Sequence, residues 1–342
     1  MNKWQGKKVL ILGAARQGQA LARYLANKQA CVILNDNRSP ELMGNVIKEL
    51  TPRGIELVLG SHPLSLLDQV EIVCLSGGIP LDLPIVKSAT ERGIPLTNDS
   101  QIFMEETNAS VIGITGSAGK TTTTTLVGRI AQNSVRPPQK AWVGGNIGKP
   151  LVEYLDEIKT DDLVILELSS FQLEQMTISP HIAAVLNITP IHLDRHGTMA
   201  AYTAAKTRIL KFQHENDLAI LNRDDVGSWS LESTNAGQLY TFGLDPIVGL
   251  ENGTYIDNGF VTLKVNNKVT QVIKTSEVHL RGRHNLLNVL AAVSICAAAG
   301  MPIEGIQTGI KGFTGVEHRL EVVRELNGVT WINDSIATAP ER

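Results

Sequence analysis

The stretch Val111–Thr125, VIGITGSAGKTTTTT, constrains this chain more than any other. Val111, Ile112, Gly113 and Ile114 form a strand-like run. It leads into Thr115, Gly116, Ser117, Ala118, Gly119, Lys120 and Thr121, and the residues from Thr122 on read as a helix. Strand, glycine-rich turn and helix in that order make a phosphate cradle. The glycines let backbone N–H groups converge on an anion, and the helix N-terminus adds its partial positive charge. In such a cradle Lys120 reaches the β- and γ-phosphates and the Thr121 hydroxyl sits on Mg²⁺. The longer pattern G-x-x-x-x-G-K-[ST] is missed by one place, because Ile114 stands where its first glycine belongs. The tighter form T-G-x-x-G-K-T remains. A solvated Lys120 on an ordinary turn is the bland alternative, but Gly-Lys-Thr after a buried-looking strand points to a nucleotide-phosphate site.

Such a site needs a sheet around it, and 342 residues with 43% hydrophobic content supply the cores of two or three domains. The net charge of −3 gives no electrostatic case for a nucleic-acid partner. No apolar run reaches membrane-spanning length and Met1–Lys8 is too polar for a signal peptide, so no membrane partner and a cytoplasmic location are expected. Cys31, Cys74 and Cys296 lie scattered in apolar surroundings and read as reduced core residues.

From the start, KKVLILG (Lys7–Gly13) suits a buried parallel strand. It enters Gly13, Ala14, Ala15, Arg16, Gln17 and Gly18, then a helical stretch to Asn27. A second strand, Cys31–Leu34, ends at Asn35–Asp36. This is a Rossmann-like opening, with Asp36 where an acid could meet a ribose or a base. Ala15 replaces the middle glycine of the NAD fingerprint, which argues against NAD. A third strand, Glu71–Leu75, runs into Ser76, Gly77 and Gly78, a glycine turn at the strand edge where open α/β sheets collect ligands. The plain alternative is a set of tight βα turns.

Beyond the phosphate turn, AWVGGNIG (Ala141–Gly148) offers Asn146 as its polar reader. Asp162–Leu168 reads as a strand with Glu167 near its exit. A carboxylate there is costly to ionise without a cation, which makes Glu167 a Mg²⁺-ligand candidate. Ile182–Ile188 is a further strand, and His192 follows its carboxyl end, on the same edge as Lys120 and Glu167, where metal or phosphate contact is favoured over a structural role. Met199–Lys211 reads as a helix on which Lys206, taken alone, is a solvated charge. After a strand at Leu218–Asn222, the span Gln238–Val272 shows period-2 hints, with Asn252–Gly253 and Asn258–Gly259 as hairpin turns. An Ala-rich helix opens at GRHNLLN (Gly282–Asn288), a linker with a hinge is expected over Phe313–Arg319, and Thr330–Ile332 starts a new strand.

Together these motifs resemble the Mur ligases, the ATP-dependent amino-acid ligases of peptidoglycan precursor synthesis. TGSAGKTTT, GGNIG, ELSSFQLE (Glu167–Glu174), NITPIHLDRHG (Asn187–Gly197), the lysine of AYTAAKTRIL, GRHNLLN, EHRLEVV and INDS occur in family order across the chain. The wording of ELSSFQLE, HLDRHG and GRHNLLNVLAA is most similar to the member that joins D-glutamate to UDP-N-acetylmuramoyl-L-alanine. The resemblance implies an α/β fold: a Rossmann-like UDP-sugar domain at 1–106, a central P-loop ATPase domain with a small antiparallel sheet at 107–314, and the hinge and first strand of a third domain at 315–342. A truncated, monomeric form with little ligation activity is expected on that basis.

By the same resemblance, Gly13–Gly18, Asp36, Asn37, Arg38, Ser76, Gly77 and Gly78 hold the uridine diphosphate sugar. Thr115–Thr122 hold the ATP phosphates, with Thr121 and Glu167 on one Mg²⁺. Asn146 lies by the substrate and the reacting phosphate. His192 binds a second Mg²⁺ together with a carbamate formed by CO₂ on Lys206, which revises the bland reading of that lysine. Asn288 faces adenine, while His318, Arg319 and Asp334 approach ribose and phosphates. The implied chemistry forms an acyl phosphate from ATP, which the amino group of D-glutamate then attacks. Ile336 stands where many relatives carry a lysine, which loosens the choice of amino acid. Two alternatives are a folylpolyglutamate synthase-like ligase, disfavoured by the UDP-type turns, and a non-catalytic nucleotide-sugar-binding module.

Overall fold

The computed structural model describes residues 2–246, 249 and 251–335, and every count below refers to them; Ile336 lies outside these residues. The chain divides into two compact units. One comprises residues 1–108, 148–158 and 169–178; the other comprises 109–147, 159–168 and 179–342.

In the first unit, β1 (Lys8–Leu12), β2 (Cys31–Asp36), β3 (Glu56–Leu59), β4 (Ile72–Leu75) and β5 (Leu96–Thr97) form a wholly parallel sheet of order β3-β2-β1-β4-β5. Parallel strands must be covered on both faces, which is why they read as unbroken apolar runs. Val9, Ile11, Val32 and Leu34 pack with the helix Arg16–Asn27 on one face. Leu10, Leu12, Val73 and Leu75 pack on the other with the helix Pro84–Glu91. The order reverses between β1 and β4, so the crevice at their carboxyl ends is a topological switch point. Cys74 and Cys296 are buried, but Cys31, the first residue of β2, is exposed, a correction to its expected place in the core.

The second unit holds β6 (Ser110–Thr115), β7 (Ala141–Gly145), β8 (Leu163–Glu167), β9 (Ile182–Val185), β10 (Leu218–Asn222), β11 (Gln238–Phe242), β12 (Gly253–Asp257), β13 (Phe260–Val265) and β14 (Lys268–Lys274). They form one sheet of order β14-β13-β12-β11-β10-β9-β6-β8-β7, parallel from β7 to β12 and antiparallel beyond. The antiparallel part therefore continues the main sheet. After β8 the chain crosses over to β9, which leaves β6 between them at the second switch point. Leu126, Val127, Ile130 and Ala131 of the helix Lys120–Ser134 share one core with the helices Arg283–Ala298 and Ile303–Ile310.

Asn258–Gly259 is a two-residue hairpin turn, with φ of +46° and +77°. Asn252–Gly253 is not a turn. Gly253 begins β12 and pairs in parallel with Thr241, and a Cβ there would stand 2.3 Å from the Thr241 carbonyl oxygen. That glycine serves close approach, not chain reversal. Two further reversals escaped the sequence reading. Asn266–Asn267, both left-handed, joins β13 to β14. Asn327–Gly328 joins β15 (Glu321–Leu326) to β16 (Val329–Asn333), so the strand expected at Thr330–Ile332 is half of a hairpin.

Candidate functional site

In the first unit the turns after β1, β2 and β4 meet by direct hydrogen bonds. Gly13 takes φ +92° and donates its N–H to Asn35 O at 2.8 Å. The Ser76 hydroxyl donates to Gly13 O at 2.8 Å. A Cβ on Gly18 would fall 1.8 Å from that same oxygen, so only glycine fits there. Ala15 is extended (φ −75°, ψ −177°) at the N-cap of Arg16–Asn27, a conformation open to any residue. The glycine missing from the fingerprint is not needed. Asp36, 5% exposed, accepts the Ala14 N–H at 2.7 Å and both the main chain and guanidinium of Arg38 at 2.8–2.9 Å. The Arg38 guanidinium, ahead of the two N–H groups, holds this carboxyl well below the usual carboxylate range. Asn37 is exposed, and Gly77 and Gly78 have room above them.

In the second unit the phosphate turn leaves β6 and enters the 15-residue helix Lys120–Ser134 through Gly119, at φ +80°. A Cβ on Gly119 would lie 2.3 Å from Asn288 Oδ1, so the buried Asn288 carboxamide is pressed against the loop. Asn288 also bonds Asn285 and accepts from Thr123. Thr115 and Ser117 are buried, and Lys120 Nζ donates to Gly116 O at 2.8 Å and Ser117 O at 3.2 Å.

Glu167, at the end of β8, is 1% exposed. Its oxygens accept from Thr121 Oγ1 at 3.0 Å and from Asn146 Nδ2 at 2.8 Å. Gly145, at φ +94°, lets the GGN turn lie against the Glu167 backbone, where Asn146 N–H donates to Glu167 O at 2.8 Å. Lys206 is also 1% exposed, on the helix Met199–Lys211. Its amine donates to Gly116 O at 2.9 Å and Thr115 Oγ1 at 3.2 Å and lies over the Tyr202 ring. Burial pushes this amine well below the ordinary lysine range; the Lys120 cation adds to the effect and Glu167 opposes it. Lys206 is therefore no solvated face charge.

A cleft next to the loop is lined by Ala118, Gly119, Asn187, Phe242, Asn288 and Arg319, with Asp334 at its wall. His318 is held elsewhere, by Asn333 and Glu321. His192 is exposed and left-handed (φ +55°) at the N-cap of Leu193–His196. Among the described residues no three His, Cys, Asp or Glu side chains form a self-sufficient metal cage. The donors present, one buried carboxylate and one hydroxyl at a phosphate loop, suit a cation that takes its remaining ligands from phosphates and water. Asn187 and Tyr202, both against the phosphate turn, were not singled out from sequence, although Asn187 opens the NITPIHLDRHG motif.

Comparison with known proteins agrees with this architecture. The pattern of the Mur ligase middle domain matches residues 114–296, and that of the Mur ligase MurD-like N-terminal domain matches residues 7–98. The chain is 39% identical over 336 residues to a UDP-N-acetylmuramoylalanine--D-glutamate ligase of Pelotomaculum thermopropionicum. It is 40% identical over 336 residues to the ligase of the same name from Symbiobacterium thermophilum. Each alignment takes in 98% of this chain and 73% of the relative. Among solved structures, the UDP-N-acetylmuramate:L-alanyl-gamma-D-glutamyl-meso-diaminopimelate ligase from Neisseria meningitides superposes with a TM-score of 0.60 at 16% identity, covering 91% of this chain and 99% of its own. The MurF ligase from Thermotoga maritima in complex with ADP gives 0.54 at 19% identity, covering 99% and 70%. With patterns matched in both units and close relatives along nearly its whole length, the chain belongs to the Mur ligase family, the ligases of peptidoglycan precursor synthesis.

Proposed function

We propose that this chain uses ATP to join D-glutamate to UDP-N-acetylmuramoyl-L-alanine through an acyl phosphate. The observation that carries the reading is the convergence at the carboxyl ends of β6 and β8. Lys120 and Lys206 share Gly116 O, and the buried Glu167 carboxylate holds Thr121 and Asn146. The shared name of the curated relatives supports the substrates.

In the proposed reaction a carboxylate oxygen of the UDP-sugar peptide bonds to the γ-phosphorus of ATP, and ADP leaves. The amine of D-glutamate then bonds to the acyl carbon, inorganic phosphate leaves, and the amine loses a proton. Lys120 exchanges its two carbonyl acceptors for phosphate oxygens and meets the charge that develops there. Glu167 and Thr121 would hold Mg²⁺, which when bound neutralises phosphate charge, and Asn146 orients the Glu167 carboxylate. Lys206, whose amine burial pushes well below the ordinary lysine range, is suited to take up CO₂ with loss of a proton; the resulting carbamate would serve a second Mg²⁺ with His192. Asn288 and Arg319 would border the nucleoside, with Asp334 at the cleft wall and His318 next to Arg319 in sequence. The glycine turns of the first unit, Gly13–Gly18 and Ser76–Gly78, with Asp36–Arg38, would take the uridine diphosphate.

The test is release of ADP with and without UDP-N-acetylmuramoyl-L-alanine and D-glutamate, with the amide product followed by mass. Release indifferent to the UDP-sugar would count against the assignment, and release driven by a folate substrate would favour the sister ligase.

A further inference from the structure

Five hydrogen bonds join Ser117–Ala118 of the phosphate turn to Asn187–Thr189, the segment that follows β9. Ser117 N–H donates to Asn187 O at 2.9 Å. Ala118 N–H donates to Asn187 Oδ1 at 2.8 Å, and Asn187 Nδ2 returns to Ala118 O at 3.1 Å. Ser117 Oγ donates to Thr189 O at 3.0 Å and accepts Thr189 N–H at 2.9 Å.

The Asn187 carboxamide is thus read at both ends by the backbone of one residue, Ala118. The Ala118 N–H demands an acceptor and the Ala118 carbonyl demands a donor, so the amide can sit only one way round. Lys120 and Lys206 also bond this turn at two points each, but as donors in those bonds, whereas Asn187 both accepts and donates. Its effect is to fix the Ala118 peptide just before Gly119, the residue that must turn left-handed for the helix N-terminus to face an anion. Asn187 also lies five positions before His192, so the same grip ties the His192 segment to the turn.

We infer that Asn187 is a positioning residue for the phosphate site, holding the turn in its anion-receptive shape through Ala118. The inference rests on reading the turn as an ATP-phosphate cradle. Asn187→Ala removes both bonds. Asn187→Asp keeps the acceptor for the Ala118 N–H but sets a carboxylate against the Ala118 carbonyl. Both should keep the fold, since Asn187 is only half-buried.

The experiment titrates parent, Asn187→Ala and Asn187→Asp with Mg-ATP and with adenosine by calorimetry, and records unliganded thermal midpoints. ATP affinity should fall about tenfold or more in the alanine variant and further in the aspartate variant, with adenosine affinity within about twofold of the parent, as expected for one lost hydrogen-bonded pair. ATP affinity unchanged in the aspartate variant would overturn the inference. So would adenosine affinity falling as far as that of ATP, which would make Asn187 a nucleoside contact. If the alanine variant fails to fold, the aspartate variant alone decides by the same two ratios; if both fail, Asn187 is structural and the inference is overturned. A parent that binds no ATP would instead sink the phosphate reading itself.

Discussion

Lys120 and Lys206 place their Nζ atoms on one acceptor, the carbonyl oxygen of Gly116, at 2.8 and 2.9 Å. Two ammonium groups so close oppose each other, and the buried one yields its proton more readily. Lys206, the buried one, is held well below the ordinary lysine range, while the half-buried Lys120 reaches the same oxygen from the helix start.

Lys120→Ala should weaken Mg-ATP binding by about 10- to 100-fold, the range for one charge-assisted contact. Calorimetry measures the affinity and circular dichroism the fold. Unchanged affinity would remove the phosphate assignment.

Glu167→Gln keeps size and one oxygen acceptor but loses the charge that would hold a divalent cation. ATP binding should become nearly indifferent to Mg²⁺, measured as the ratio of affinities with and without the metal. A ratio equal to the parent's would place the cation elsewhere.

Gly119→Ala puts a methyl group into the Asn288 carboxamide at a left-handed position. A loss of about 1–3 kcal/mol is expected from strain and displaced packing, with nucleotide binding abolished. Asn288→Ala in the same chain removes the collision but not the strain, so it should recover part of the stability. No recovery would mean that the backbone conformation alone sets the loss.

Asp99 is buried in the first unit, its Oδ1 has no partner, and burial pushes its carboxyl up to about 6. The unfolded chain titrates near 4, so the folded state holds this proton more tightly. The contribution is full below about pH 4 and is lost as pH rises through about 6. Asp99→Asn should match the parent near pH 4 and exceed its stability at pH 7–8 by up to about 3 kcal/mol. Denaturant unfolding at several pH values measures the gap; a gap that stays constant from pH 4 to 8 would show that Asp99 does not titrate in this window.

The parallel strands and the phosphate turn were legible because period and glycine placement are local properties. Lys7–Gly13, Val111–Ile114 and Asp162–Leu168 became β1, β6 and β8 within a residue or two. Lys206 was not legible from its own helix, where a lysine among alanines looks solvated. Its burial depends on the sheet crossover that brings the helix Met199–Lys211 over Gly116. The same holds for Asn187, whose grip on Ala118 joins residues 69 positions apart. Gly253 misled because a glycine for close approach and a glycine for reversal look alike after asparagine.

The turn after β1 is braced from within the chain, because Asp36 fixes both the Ala14 amide and the Arg38 side chain. The ordering entropy of a turn so braced is met on folding, so on the proposed reading of this turn as the uridine diphosphate site an incoming diphosphate has little left to arrange. Association should then be a single kinetic step. In stopped-flow fluorescence the observed rate should rise in proportion to nucleotide-sugar concentration, with no slow isomerisation following it. Asp36→Asn, which loosens Arg38, should instead introduce a concentration-independent plateau, as the turn becomes something that binding must wait for.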